Sequence, residues 1–367
     1  MLLRINNSHL QQSRRKQYEN RIGRNRNQSN QYGVHSDTVA RCSVLEVRTS
    51  GICAKREDIL KNYAQQIGVS YWTTDYEELV KREDIDVVAI YSPDHLHAEH
   101  CTAAIQAGKH VICTKPMVTD LEDAKRLVEL VREKEVKFLV GQTMRFDLQF
   151  STMRRFFEDG DLGEILASEA YYVHDMREVY KMTPWRLKVP QNMMFGGVVH
   201  PVDILRSFSG DVEEVHAYGT KGKLTPEFPQ MNNFFLNLKF KNGQISRAMG
   251  LYDIVHPPMP MMQVTLYGTK GSMVSDFTDN DEGKIKVVFD KMAAKHPLEM
   301  TCPPETDTSV YGHGQTVIRY MQHFQQCLDQ NLEPSPSVVD GAKSVAVGVA
   351  ALESIRTGQP VKVFNDF

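Results

Sequence analysis

The chain has 367 residues, 41% hydrophobic and 24% charged, with a formal net charge of -3 at pH 7; at about 100–200 residues per domain this predicts two domains, and so small a charge argues against a nucleic-acid partner. No run of 18 apolar residues occurs and no apolar stretch near Met1 reads as a secretory signal, so neither a membrane span nor a membrane partner is expected. Six scattered cysteines without a CxxC pair fit reduced thiols in a cytoplasmic protein better than a disulfide framework.

Residues 1–44 read differently from the rest. Ten of the first 30 are Asn or Gln, seven are Lys or Arg, and one is Glu. That leaves the remainder at -3 minus 6, or -9. The segment shows neither helical nor strand periodicity, which predicts a disordered stretch or a frame-shifted part of the first domain.

From Leu45 a regular alternation begins. Leu45–Cys53 predicts a strand, and Asp58–Ile67 a helix ended by Gly68. Tyr76–Lys81 is helical, and Val87–Tyr91 has the continuous apolar character of a buried parallel strand. Ala98–Ala107 is a helix stopped by Gly108, His110–Cys113 a strand, Leu121–Glu133 a helix and Lys137–Gly141 a strand. This alternation over 45–146 predicts a Rossmann-type parallel sheet covered on both faces, an α/β domain.

Beyond residue 147 strands dominate. Phe150–Phe157 is helical, followed by strands at Ile165–Val173, Glu213–Thr220, Phe234–Phe240, Ser246–Tyr252, Val264–Tyr267, Ser272–Ser275 and Lys284–Phe289. Asn242-Gly243 between two of them signals a hairpin. Helices at Thr316–Asp329 and Val339–Arg356 close the chain. Residues 147–367 thus form an α+β domain with a large open, mainly antiparallel sheet, the face of which suits pairing into a homodimer or homotetramer.

Ligands of parallel sheets bind beyond the carboxyl ends of the strands. Two such ends carry chemistry: Tyr91-Ser92-Pro93-Asp94-His95-Leu96-His97-Ala98-Glu99-His100, and Gly108-Lys109-His110 through Cys113-Thr114-Lys115-Pro116. These segments, with Val140-Gly141-Gln142-Thr143-Met144-Arg145-Phe146, Gly196-Gly197-Val198-Val199-His200-Pro201-Val202-Asp203 and Tyr267-Gly268-Thr269-Lys270-Gly271-Ser272, resemble the Gfo/Idh/MocA oxidoreductases. The resemblance covers roughly residues 45–363.

What the resemblance implies is hydride transfer between NADP or NAD and a secondary alcohol of a sugar, cyclitol or related polyol. Such a reaction needs the carbinol carbon against the nicotinamide and a base for the hydroxyl proton. It assigns Lys115 to the substrate hydroxyl, His200 to acid/base work and Asp203 to orienting the imidazole or a second hydroxyl. Pro201 predicts that His200 stands at a helix start. Ser92, Pro93, His95, His97, Thr114, Lys115 and Arg145 are expected on the cofactor side, and Trp185 and Arg186 on the substrate side. The four clustered histidines with Cys113 follow no zinc spacing, so no metal is expected.

Four positions depart from the family pattern. Thr114 replaces the Glu before Lys-Pro, and Gly196 replaces an aspartate four residues before the histidine. Ala54, followed by Lys55 and Arg56, replaces the acidic residue that holds the NAD ribose; cations there suit the 2′-phosphate of NADP. Arg21–Asn27 contains no GxGxxG, which predicts weak cofactor binding. The resemblance also implies, as a second enzyme reading, a lyase or glycosidase with retained NAD, and loss of the glycine loop and of the aspartate at position 196 supports a non-catalytic sensor as the alternative from another class.

Overall fold

The computed structural model describes residues 2–5, 47–189, 191–276, 283–290, 297–302 and 314–367. Most of the atypical segment, including Arg21–Asn27, lies outside the described residues. Within it, Leu2–Ile5 forms a strand, β1, pairing antiparallel with β2 (Val47–Cys53), Leu2 opposite Gly51 and Ile5 opposite Val47. These four residues, from outside the expected 45–146 domain, supply hydrogen bonds to an edge of β2, while the strands expected to be parallel do pair parallel. On its other side β2 runs parallel to β3 (Trp72–Thr73), too short to read from sequence.

The helix between them, α1 (Glu57–Ile67), ends where Gly68 takes a φ of 72° and its N–H returns to the Ala64 and Gln65 carbonyls. Helix α2 (Tyr76–Val80) starts on Asp75, whose carboxylate accepts from the Glu77 N–H at 2.8 Å. Then follow β4 (Val87–Ile90), β5 (His110–Thr114) and β6 (Phe138–Gly141), parallel and in that spatial order. Every residue of β4 and β6 is buried, as their unbroken apolar runs require. Helix α3 (His97–Gln106) joins β4 to β5; α4 (Leu121–Lys134), capped by Asp120, joins β5 to β6 and buries Ala124, Leu127, Val128 and Val131.

The second half opens with α5 (Leu148–Glu158), β7 (Ile165–Val173) and a helix unforeseen in the sequence, α6 (Arg177–Met182). After α7 (Val199–Ser209) come β8 (Val212–Thr220), β9 (Asn233–Phe240), β10 (Ile245–Leu251), β11 (Met262–Gly268), β12 (Gly271–Asp276), β13 (Lys284–Phe289) and β14 (Leu298–Thr301). Helices α8 (Gly314–Asp329) and α9 (Val338–Thr357) and the strand β15 (Val361–Lys362) end the chain. The nine strands run in the order β14-β13-β12-β11-β7-β10-β9-β8-β15, and only β7 and β10 pair parallel. Alternation sets the faces: Phe234, Leu236, Leu238 and Phe240 point to the core, while Phe235 and Tyr218 lie exposed. Gly243, at φ 89°, makes the β9–β10 turn.

Helix α9 rests on β8 of this sheet and on α4 of the first half. The stretch before it adds to the edge of β6, where the Val140 N–H donates to Pro336 O at 3.0 Å. Beyond it, Arg132 Nη2 on α4 donates to Phe367 O at 2.8 Å. The two halves therefore share packed elements.

Candidate active site

The chain leaves β4 through Tyr91-Ser92-Pro93 and a short helical turn, Asp94–Leu96, before α3. It leaves β5 through Thr114-Lys115-Pro116, with the Lys115–Pro116 peptide cis. These parallel neighbours end side by side, so their exits form one wall of the crevice. His97 is wholly buried behind that wall, its Nδ1 2.7 Å from Pro116 O and its Nε2 2.8 Å from Ser92 O. His100, one turn along, places Nδ1 2.9 Å from Ser92 Oγ.

The opposite wall comes from the second half. Met194–Val198 forms a wide π-helical turn running straight into α7, so helical backbone begins before His200. His200 is the second residue of α7, in its first turn, and Pro201 the third, two places past the first helical position expected for the proline. Gly197 permits the turn's close packing, since a Cβ there would fall 2.2 Å from Tyr252 Cζ. Tyr252 stacks edge-on against Tyr172 at 5.3 Å between centroids, and Tyr172 edge-on against His200 at 5.8 Å.

Lys115 reaches across the crevice. Its Nζ donates to the carbonyl of Gly196, four residues before His200. Burial of the ammonium pulls its pKa down to about 8, with Asp94 opposing the shift and Arg186 adding to it. The position that is aspartate in the family pattern thus meets the lysine through backbone oxygen. Arg186 lies over the Trp185 ring, 4.6 Å from its centroid, and donates to Gln191 Oε1 at 3.3 Å.

Two cofactor-side expectations need correction. Both ring nitrogens of His97 are committed to carbonyls, so no polar atom of that side chain remains for a cofactor. Arg145 points away as well: Nε and Nη2 each lie 2.7 Å from an oxygen of Asp203, with Asp340 and Ser335 taking further donors at 3.3 Å. Asp203, in turn, spends both oxygens on Arg145 and accepts from Ser344 Oγ at 3.3 Å, so its carboxylate serves this pair in place of the imidazole. Arg206 donates to the Asp340 carbonyl at 3.0 Å and to Ser344 Oγ at 3.1 Å.

Lys55 and Arg56 are exposed where β2 gives way to α1, at the positive end of that helix. Ser92, Pro93 and Thr114 line the exits of β4 and β5, and His95 is exposed beside them. The cations at the end of β2 and these two strand exits are the residues that could hold a dinucleotide. Among the described residues no group of three His, Cys, Asp or Glu is arranged to hold a metal ion. Sequence reasoning missed Tyr172, His174 and Tyr252 around His200. Tyr172 and His174 stand two residues apart at the end of β7, and that period-2 pairing was the available signal.

Residues 22–142 match the family model described as oxidoreductase family, NAD-binding Rossmann fold, and residues 154–363 match that of the oxidoreductase family C-terminal alpha/beta domain. The chain is 24% identical over 338 residues to levoglucosan dehydrogenase of Pseudarthrobacter phenanthrenivorans, covering 83% of this chain and 86% of that protein. It is 28% identical over 313 residues to 1,5-anhydro-D-fructose reductase of Ensifer adhaerens, covering 82% and 86%. Among solved structures, levoglucosan dehydrogenase in complex with NADH and levoglucosan superposes with a TM-score of 0.76 at 23% identity, over 86% of this chain and 90% of that one, a likeness of fold.

Proposed function

The chain belongs to the Gfo/Idh/MocA oxidoreductase family, and from that premise we propose that it interconverts a secondary alcohol and a ketone on a sugar, cyclitol or related polyol, using NADP or NAD. The observation that carries this reading is the contact of Lys115 with Gly196, which brings the cation after β5 and the helix of His200 to one crevice. Relatives named for levoglucosan, 1,5-anhydro-D-fructose and inositol support the substrate class.

A bound nicotinamide dinucleotide supplies the hydride acceptor or donor. Lys55 and Arg56 hold its ribose phosphate, and Ser92, Pro93 and Thr114 line its path. Lys115 binds the reacting oxygen through an N–H not spent on Gly196 and steadies negative charge developing there. His200, with Tyr172 against its ring, takes the hydroxyl proton in oxidation and returns it in reduction. Trp185 and Arg186 border the substrate side. Arg145 and Asp203 fix α7, and with it His200, against the end of β6. The test is turnover of a panel of polyols and anhydrosugars followed at the nicotinamide absorbance. The reading predicts activity lost in both Lys115→Ala and His200→Ala; activity on no alcohol or ketone in the panel with either dinucleotide would refute it.

A further inference from the structure

A carbonyl oxygen accepts hydrogen bonds and never donates them. His97 nevertheless places each ring nitrogen on one, Nδ1 at 2.7 Å from Pro116 O and Nε2 at 2.8 Å from Ser92 O, with no solvent exposure of the residue. Both contacts are hydrogen bonds only if both nitrogens carry protons. A neutral ring has one N–H, and its bare nitrogen would then face an oxygen lone pair in the interior.

The two acceptors belong to different loops. Ser92 begins the exit of β4 on the cofactor side, and Pro116 follows Lys115 at the exit of β5. We infer that His97 is held as an imidazolium and acts as a positioning residue, tying the Lys115 loop to the Ser92–Pro93 loop so that lysine and cofactor-side wall keep one spacing.

The surroundings agree with a charged ring. Burial works against the charge, while the Pro116 and Ser92 carbonyls favour it, each accepting from one ring N–H of the charged form. Cys113 itself is kept protonated by burial, with Cys101 behind it, so it stands beside the ring as a neutral thiol and adds no charge of either sign. On α3, His100 is biased toward its neutral form first by burial and then by the His97 charge, while exposed Glu99 draws it the other way. Its neutral Nδ1 remains free to accept from Ser92 Oγ, so the two histidines fasten the same serine by carbonyl and hydroxyl.

The two bonds separate by mutation. The carboxamide nitrogen of asparagine reaches about as far as Nδ1, and that of glutamine about as far as Nε2. His97→Asn therefore retains the Pro116 bond, and His97→Gln the Ser92 bond. The primary test is nitrogen-15 NMR of the full chain labelled at histidine, with the His97 ring assigned by its disappearance in either variant. Two protonated ring nitrogens at pH 7, persisting to pH 8, are expected; one protonated and one bare nitrogen at pH 7 overturns the inference.

The kinetic arm rests on the oxidoreductase reading, whereas the NMR arm does not, so the two fail separately. His97→Gln should lower kcat by about 10–100-fold with the dinucleotide KM little changed, because a misplaced Lys115 loses its alignment. His97→Asn should raise the dinucleotide KM by about 10-fold with kcat little changed. Equal changes in both parameters for both variants would mean that the ring only fills space.

Discussion

Arg145 and Asp203 join the two halves of the molecule through a two-armed ion pair, with Nε to Oδ2 and Nη2 to Oδ1 both at 2.7 Å. The arginine stands just past β6 and the aspartate on α7, one turn beyond His200. The side chains are 13% and 1% exposed, which places the pair in the regime where breaking it leaves an uncompensated buried charge.

Asp203→Ala should accordingly cost about 3–5 kcal/mol in urea unfolding. Asp340, at 3.3 Å from Nη2, remains as a partial counter-charge and favours the lower end. A loss below about 1 kcal/mol, the scale of a surface pair, would remove this account.

Lys115 is charged below pH 8 and neutral above it, because burial disfavours the ammonium. Because the charged form steadies the reacting oxygen, kcat falls in both directions of the reaction as pH rises through about 8. Lys115→Met should lower kcat and abolish that limb. His200→Ala should lower kcat by about 10²–10⁴-fold, the worth of a positioned base, and leave the limb near 8 in place. A limb near 8 that survives Lys115→Met belongs to another group.

The two glycines before His200 should respond in opposite ways. At Gly196 an added Cβ meets only Met193 Sδ at 3.6 Å, so Gly196→Asp fits and brings a carboxylate toward the ammonium. The limb near 8 should then move upward by about one pH unit or more. At Gly197 a Cβ would strike Tyr252 Cζ at 2.2 Å, so Gly197→Ala should destabilise by about 1–3 kcal/mol. Thermal unfolding of both, with the pH–rate profile of Gly196→Asp, checks the pair.

Arg56→Ala should weaken NADP much more than NAD, since only NADP carries a 2′-phosphate for a guanidinium. Competitive titration of the two dinucleotides measures the ratio, and an equal loss for both would reduce Arg56 to a surface residue.

Arg21–Asn27 has no GxGxxG, so a backbone cradle for the pyrophosphate is not expected there. Either dinucleotide should then bind weakly by calorimetry, and submicromolar binding would contradict this.

The buried strands and amphipathic helices were legible because their periods follow from which face meets the core. Val87–Ile90, Leu121–Lys134 and Ile165–Val173 lie within a residue or so of their expected limits. The Met194–Val198 turn was not legible: Gly196 and Gly197 disfavour helix locally, and the turn stands because Gly197 receives the Tyr252 ring. The short strands β3, β14 and β15 owe their existence to a partner's edge, which leaves no pattern of their own. In the candidate site, Lys115 and His200 were singled out by the resemblance of their motifs to the family. The true partners of His97, Arg145 and Asp203 did not, because those contacts cross between elements far apart in sequence.

Helix α9 and the residues around it complete the first half of the fold although they are made long after it. Pro336 binds the edge of β6, α9 covers α4, and the carbonyl of Phe367 receives Arg132. On the ribosome, β4 to β6 and α4 emerge long before the strip that covers them, so their apolar flank stays open to solvent, or to a chaperone, until residues 337–367 have followed. A chain stalled anywhere between β6 and Ser337 would therefore present the same sticky surface, which makes that covering strip the quality checkpoint of the first half of the fold.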